Sequence, residues 1–337
     1  MLSFLRFLAG PCPLAGGLLL HPFICLCYLR RWDRLTAITV FPFWAWCFLG
    51  MGLILVAWIT LRHRRILWGM ALWSVTLLAG ADETLPMLKS WHPRPQQGVP
   101  AAAENGRVPL RIITMNCRAG PFNPDSIKDL IPWQPDIVLL QESPGQATLQ
   151  NMAVTLYNSG DPGHYIYSFE CAVLARGLIT HKVETFLPRS LLARVQIAPG
   201  VALNLGNVHL LGAETDARLW KKDAFRNHWN NRMARRREAG LLLGATALFE
   251  PGIPAIIGGD FNAPAGDAVF RLLKDGGYSD LFRASGSGWP NTYPNASPVL
   301  RIDHLWGNAG ITPIRSTTVM TTLSDHRMVV CDFLLPN

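Results

Sequence analysis

Five short polar motifs, each at or near the end of an apolar run, constrain this chain more than any other feature. They are Ile112-Ile113-Thr114-Met115-Asn116, Val138-Leu139-Leu140-Gln141-Glu142, Leu205-Gly206-Asn207-Val208-His209, Ile256-Ile257-Gly258-Gly259-Asp260-Phe261-Asn262, and Arg301-Ile302-Asp303-His304 with Ser324-Asp325-His326 downstream. The runs are short and rich in β-branched residues, the signature of buried strands. Ligand-handling groups gather where strands of such sheets give way to loops. The groups at these ends are Asn116, Glu142, His209, Asp260, Asn262, Asp303, Asp325 and His326. Carboxylates, amides and imidazoles together are suited to holding a divalent cation and moving a proton.

Other strand candidates lie at 171–175, 193–198, 314–320 and 328–334, with helix candidates at 125–131, 146–156, 217–249 and 266–275. Many strands, few helices and several adjacent strand pairs predict mixed sheets with helices outside. This α/β (α+β) region extends over 110–337.

The first 90 residues differ from the rest. Residues 37–61 carry no charge and are long enough to cross a hydrocarbon core of about 30 Å. Runs at 14–29 and 66–81 are shorter, near the lower margin for a span. Apolar helices without a polar face need lipid around them, so residues 1–90 read as a transmembrane region of two or three helices. The arginines of Arg30-Arg31-Trp32-Asp33-Arg34 and Arg62-His63-Arg64-Arg65 separate the runs. Placing Arg6 and the 62–65 loop inside sends the C-terminal domain outside if three helices cross, giving a bacterial inner-membrane protein with an extracytoplasmic domain. Residues 91–109 hold Pro93, Pro95, Pro100 and Pro109 and read as a semi-stiff tether.

Charge sharpens the picture. Of the net +8, residues 218–237 alone contribute eight basic residues against one acidic. Apart from that segment the region after residue 110 is mildly acidic, which argues against a protein coated for DNA and suits a cation site beside one basic patch. The basic segment interleaves Trp220, Phe225 and Trp229, a pattern that serves nucleic acid, anionic lipid, or a solvated helix with its aromatics packed inward. The seven cysteines show no CxxC spacing, so a structural zinc site or disulfide framework is not expected.

In order and position, the five motifs resemble those of the endonuclease/exonuclease/phosphatase superfamily, which includes deoxyribonuclease I-like nucleases, exonuclease III-like repair enzymes, inositol-polyphosphate 5-phosphatases and neutral sphingomyelinases. The resemblance covers about residues 110–335 and is most specific at Gly259-Asp260-Phe261-Asn262 and Ser324-Asp325-His326. It implies a four-layer sandwich, two packed β-sheets with helices on both outer faces, and an active site at one sheet edge. It implies that Glu142, Asn116 beside it and Asp325 hold the metal, and that Asp260 orients or deprotonates the attacking water. Asn262, at the alternate position after Asp260 on one extended stretch and so facing the same way, is then expected to contact phosphate or metal, and His209 to contact phosphate. His326 is the expected proton-transfer group, oriented by Asp303, whereas His304 packs. Mg²⁺ suits such oxygen donors, with Mn²⁺ or Ca²⁺ as substitutes. Arg118 stands where repair enzymes of the exonuclease III type carry an acid, which argues against an abasic-site nuclease.

The expected activity is therefore hydrolysis of a phosphodiester or phosphomonoester by a membrane-anchored enzyme, the substrate being a phospholipid headgroup or a nucleic acid. The alternatives are a nuclease acting on extracytoplasmic DNA or RNA and a catalytically silent binding module on the same fold. No protein partner is evident from the sequence.

Overall fold

The computed structural model describes residues 10–98, 107–118, 124–159, 162–183 and 189–336. Arg6 and residues 99–106 of the expected tether lie outside them. The chain forms two compact bodies. One comprises residues up to Thr84 together with Glu214–Arg232, and the other Leu85–Ala213 with Met233–Asn337.

In the first body, α1 (Pro11–Arg30), α2 (Phe43–Leu61) and α3 (Leu67–Gly80) pack together. The uncharged run expected as one span at 37–61 is broken: a short helix ends at Thr39 and Pro42 caps α2. Proline there is an unstrained helix start, because its missing N–H has no partner inside a first turn. α1 and α2 are each long and apolar enough to cross a membrane; α3, at 14 residues, is shorter. Trp73 of α3 is fully buried and donates its indole N–H to the Gly17 carbonyl at 3.1 Å. Gly50 makes room for that ring, since a Cβ there would stand 2.1 Å from it. Small residues that let helices close in this way are a common device of apolar bundles.

The second body is a sandwich of two six-stranded sheets. The strands are β1 (Val108–Asn116), β2 (Ile137–Gln141), β3 (Tyr165–Tyr167), β4 (Cys171–Ala175), β5 (Leu178–Val183), β6 (Ser190–Ala198), β7 (Val201–His209), β8 (Ala255–Asp260), β9 (Ser279–Asp280), β10 (Asp303–Gly307), β11 (Thr312–Val319) and β12 (Met328–Leu335). One sheet runs β11-β12-β1-β2-β4-β3 and the other β5-β6-β7-β8-β10-β9. Alternation along each strand builds the layers. Ile112, Leu139 and Val173 point between the sheets to meet Leu205, Ile256 and Leu305. Their neighbours Ile113, Leu140 and Leu174 point outward, where Leu149 and Met152 of α4 (Gln146–Tyr157) cover them. On the far side, Ile257 and Val208 meet Leu242 of α5 (Lys222–Thr246) and Phe270 of α6 (Val269–Asp275). This is the helix–sheet–sheet–helix order that the resemblance implies.

The strands missed from sequence, β3, β5 and β9, all lie toward sheet edges, where the buried face is short and the apolar run weak. The 125–131 helix is two short 3₁₀ turns, Pro124–Asp129 and Ile131–Trp133. The described part of the Pro-rich stretch is hydrogen-bonded within the second body: Arg94 Nε donates to Ser287 Oγ at 3.5 Å, and Gly98 N–H to the Pro132 carbonyl at 2.7 Å. Among the described residues no cysteine forms a disulfide; Cys171 and Cys331 are buried in the core between the sheets and Cys117 in the layer outside it.

Candidate active site

Register alone assembles most of the site. β7 and β8 run parallel with His209 opposite Asp260, and β10 runs antiparallel to β8 with Asp303 opposite the same Asp260. Three chemically active side chains therefore lie on adjacent strands. Gly259 makes the first pairing possible: its φ of 138° and the 2.0 Å that would separate an added Cβ from the Val208 carbonyl exclude any other residue. In the other sheet, β1 and β2 pair in parallel with Asn116 opposite Gln141, so Glu142 follows directly beside Asn116. A buried polar link joins the two sheets at this point. Gln141 donates to Asn207 at 2.7 Å, and Asn207 donates to the carbonyls of Leu140 and Ala172, each at 2.8 Å.

Asn116 is the hub. Its amide nitrogen lies 3.2 Å from Glu142 Oε1 and 3.1 Å from Asp260 Oδ2, and its oxygen accepts the Arg118 N–H at 2.9 Å. Its carbonyl accepts from Ser324 Oγ at 2.7 Å, which ties the Ser324-Asp325-His326 loop to β1. His326 Nδ1 sits 3.0 Å from Asp303 Oδ2, leaving Nε2 directed to Asp260 at 3.9 Å. Thr292 holds Asp303 by accepting its backbone N–H at 3.3 Å, and Tyr293 lies against the His326 ring with centroids 4.9 Å apart. Glu142 and Asn262 both adopt left-handed backbone, with φ of 46° and 47°. Such conformations are uncommon for residues with a Cβ and cluster at functional sites.

The electrostatics follow from burial. Loss of water, reinforced by neighbouring Asp303, pushes Asp260 up to about 6, against the pull of His326 and His209. For His326, burial works against the charged ring, but Asp303 and then Asp260 and Asp325 carry it up to about 9. His326 is therefore an imidazolium at neutral pH and Asp260 a carboxylate that titrates just below it. Asp303 Oδ1 is buried without a hydrogen-bond partner.

The structure brings Asn116, Glu142, His209, Asp260, Asp303 and His326 into one cluster. Ligand atoms of Asp260, Asp303 and His326 lie within 4.8 Å of one another. Asp325 is more open, 39% exposed, with its carboxylate 4.0 Å from Arg118. Asn262 differs from expectation. Alternate positions on an extended strand would aim it with Asp260, but β8 ends at Asp260 and the left-handed turn redirects it. Its N–H donates to Asp260 Oδ1 at 2.8 Å and its side-chain amide to the Leu210 carbonyl at 2.9 Å. His304 is enclosed by Phe261 and Phe270, and its Nε2 faces two carbonyls, Ala263 and Arg301. Burial, then Arg301, pulls it down to about 4, so it stays neutral and structural.

Two residues near the site escape a sequence reading. Glu170, in the β3–β4 turn, lies 2.9 Å from His209 Nδ1, so each imidazole of the site has its own carboxylate. No motif surrounds Glu170; only the folded sheet edge brings it there. Arg235 is fully buried and donates to the Asn262 carbonyl. It belongs to the basic run expected to face lipid, nucleic acid or solvent, and that expectation fails for part of the run. Ala224, His228, Arg232, Arg235 and Ala239 recur at helical spacing and form the buried face of α5. Lys221, Lys222, Arg226 and Arg237 remain exposed. Trp220 is also turned outward, 79% exposed, whereas Phe225 packs inward.

Comparison with known proteins agrees with this geometry. A family model described as "Endonuclease/Exonuclease/phosphatase family" matches residues 113–326, more than half the chain. Among curated proteins nothing matches. Solved structures share the fold. An endonuclease/exonuclease/phosphatase family protein from Bacteroides thetaiotaomicron is 17% identical, with a TM-score of 0.53 over 68% of this chain and 99% of that one. A mannosyl-6-phosphatase from the same organism is 18% identical, TM-score 0.51, over 66% and 99%. A humanized D. rerio TDP2 is 21% identical, TM-score 0.50, over 67% and 98%. Identities this low speak for the fold alone; the family match carries the assignment. The chain belongs to the endonuclease/exonuclease/phosphatase family and is a phosphoester-hydrolysing enzyme.

Proposed function

We propose that this protein is a Mg²⁺-dependent phosphoesterase anchored in a membrane by α1 and α2. One observation supports the catalytic part above all: Asn116, Glu142, His209, Asp260, Asp303 and His326 converge from six strand ends onto one cluster. Four carboxylates, those of Glu142, Asp260, Asp303 and Asp325, gather near two histidines, a donor set that suits a hard cation. The partnerless Asp303 oxygen fits the same conclusion. Glu142 and Asp325, which keep solvent access, would hold the ion, with Asn116 beside Glu142. When bound, it would neutralise phosphate charge and favour attack by water.

The protein's own groups do the rest. Asp260, titrating near 6, accepts a proton from water at neutral pH, and Asn116 and the Asn262 N–H fix its orientation. His326, charged and held by Asp303, offers its Nε2 proton to the substrate phosphate. His209, with the Glu170 carboxylate 2.9 Å from its Nδ1, presents Nε2 from the opposite side of Asp260. Asn262 contributes chiefly through its backbone, its side-chain amide being engaged with Leu210.

The substrate is a phosphodiester or phosphomonoester, and a membrane-held enzyme favours a phospholipid headgroup over a nucleic acid. The test uses the full chain in detergent or lipid nanodiscs with Mg²⁺, against sphingomyelin, phosphoinositides, plasmid DNA and RNA. Asp260→Asn and His326→Ala should each lower turnover by about 10²–10⁴-fold. Parental rates in both would refute the mechanism, and hydrolysis of DNA or RNA alone would replace the lipid reading with a nuclease.

The extracytoplasmic placement expected from the arginines requires α3 to cross as well. Its 14 residues reach about 21 Å, so that placement needs a locally thinned bilayer. Protease added to intact spheroplasts tests it: digestion of the catalytic body supports the placement, and protection assigns the body to the cytoplasmic side.

A further inference from the structure

We propose that a cleft within the helical body, where α1, α2 and α3 meet the Arg62–Arg65 loop, binds one anionic phospholipid. This rests on the membrane reading above. Leu14 and Leu18 of α1, Leu61 at the end of α2, and Trp68 and Leu72 of α3 wall a cleft of about 650 Å³. Its origin lies in residue size. Gly17 and Gly69 bring α1 and α3 against Ile54 of α2, where added Cβ atoms would stand 2.9 Å and 3.0 Å from Ile54 Cδ1. Gly69 itself lines the cleft, and larger side chains stand around it. Leu18, Trp68 and Leu72 are 45%, 77% and 43% exposed, so the walls open outward and have no partner in this body. An acyl chain offers such walls dispersion contact and burial, and nothing polar to satisfy.

The mouth selects the headgroup. His63 and Arg65 line it, with Arg62 and Arg64 adjacent in the chain. From residue 35 to residue 81 the sequence has no Asp or Glu. Among the described residues no carboxylate reaches ion-pair distance of Arg62, Arg64 or Arg65, and all three are exposed. Uncompensated arginines at the end of an apolar cleft complement a lipid with net negative charge. A zwitterionic lipid offers the same chains without it.

Native mass spectrometry of the detergent-solubilised full chain, given equal phosphatidylglycerol and phosphatidylcholine with identical chains, tests this. Phosphatidylglycerol should be retained about tenfold in preference. Arg64→Gln with Arg65→Gln should bring the two lipids to parity, and Leu18→Trp, which fills the cleft, should lower retention of both. Glycerophosphoglycerol, the headgroup without chains, should leave the bound lipid in place. Equal retention by the parent, an unchanged preference in the double variant, or displacement by the chainless headgroup overturns the site. Flotation of the full chain with vesicles separates the two readings. Failure to float removes the membrane anchor and the site together, while flotation with equal retention removes the site alone.

Discussion

His326 carries the chemistry most open to direct measurement. Its ring is mostly buried, which alone would lower its proton affinity, yet Asp303 lies 3.0 Å from Nδ1 and outweighs that loss. An NMR titration of the metal-free full chain should therefore find the His326 midpoint near 9, and Asp303→Asn should bring it down toward the ordinary imidazole value of about 6.5. A midpoint that Asp303→Asn leaves in place would show that the pair is not coupled. The sign for stability follows. A group whose folded affinity is raised stabilises fully below about 6.5, and that contribution is lost as pH rises through about 9. Asp260 behaves oppositely to a salt-bridged carboxylate. Its folded affinity is raised, so ionising it weakens the fold as pH climbs through about 6, while the same ionisation creates the base that activity needs. The acid limb of the rate profile should fall near that pH, and Asp260→Asn should abolish it along with most of the rate. At this scale the sequence was highly legible. Asp260, Asp303 and His326 lie in short motifs whose strand context brings them together. Glu170 was not legible, because its place beside His209 depends on a contact between the two sheets and on no local pattern.

Elements show why charge is hard to interpret without partners. The basic run on α5 looks uniform in sequence, but helical spacing divides it. Arg232 and Arg235 fall on the same face as Ala224 and Ala239, and that face is buried. Whether a buried guanidinium is tolerable depends on the acceptors that meet it, and these come from distant segments, so burial could not be read from the run itself. β1 offers a second case. Arg111 is fully buried opposite Asp332 of β12, held at 2.7 Å and bonded to the Trp133 carbonyl at 2.7 Å. Asp332 also receives Arg315 at 2.7 Å. Asp332→Ala leaves a buried guanidinium uncompensated and should cost about 3–5 kcal/mol in chemical denaturation of the full chain. Joint replacement, Arg111→Met with Asp332→Leu, should recover most of that loss, because the desolvation penalty of the pair disappears with the pair. Equal losses in the single and double variants would mean that packing around β12, not charge, sets the stability there.

The molecule's division into bodies was the least legible feature. Composition separates an apolar first 90 residues from a mixed remainder, and a boundary drawn there suggests that the remainder is a self-contained soluble domain. Contacts draw a different line. Glu214–Arg232, deep in the catalytic sequence, belongs with the apolar helices. Phe225, half-buried, packs against the apolar core of that body, which includes Ile38, Cys47 and Trp73. Arg232, fully buried, donates to Thr39 Oγ1 at 2.8 Å and to the Trp32 carbonyl at 3.4 Å, with Asp33 4.0 Å away. Removing residues 1–84 takes away every one of these partners. A buried guanidinium and a half-buried aromatic ring would then face water, and the cheaper outcome is for the segment to unfold rather than hold its helix unsupported. Limited trypsin digestion measures this, since Arg218, Lys221, Lys222, Arg226 and Arg232 place cleavage sites along the segment. In the full chain those sites should be cut slowly, and in a chain beginning at Leu85 they should be cut at least tenfold faster while sites in the sandwich keep their rates. Equal cutting in both chains would show that Glu214–Arg232 folds without the apolar helices. Accelerated cutting would show that the catalytic sequence depends on those helices for part of its own structure.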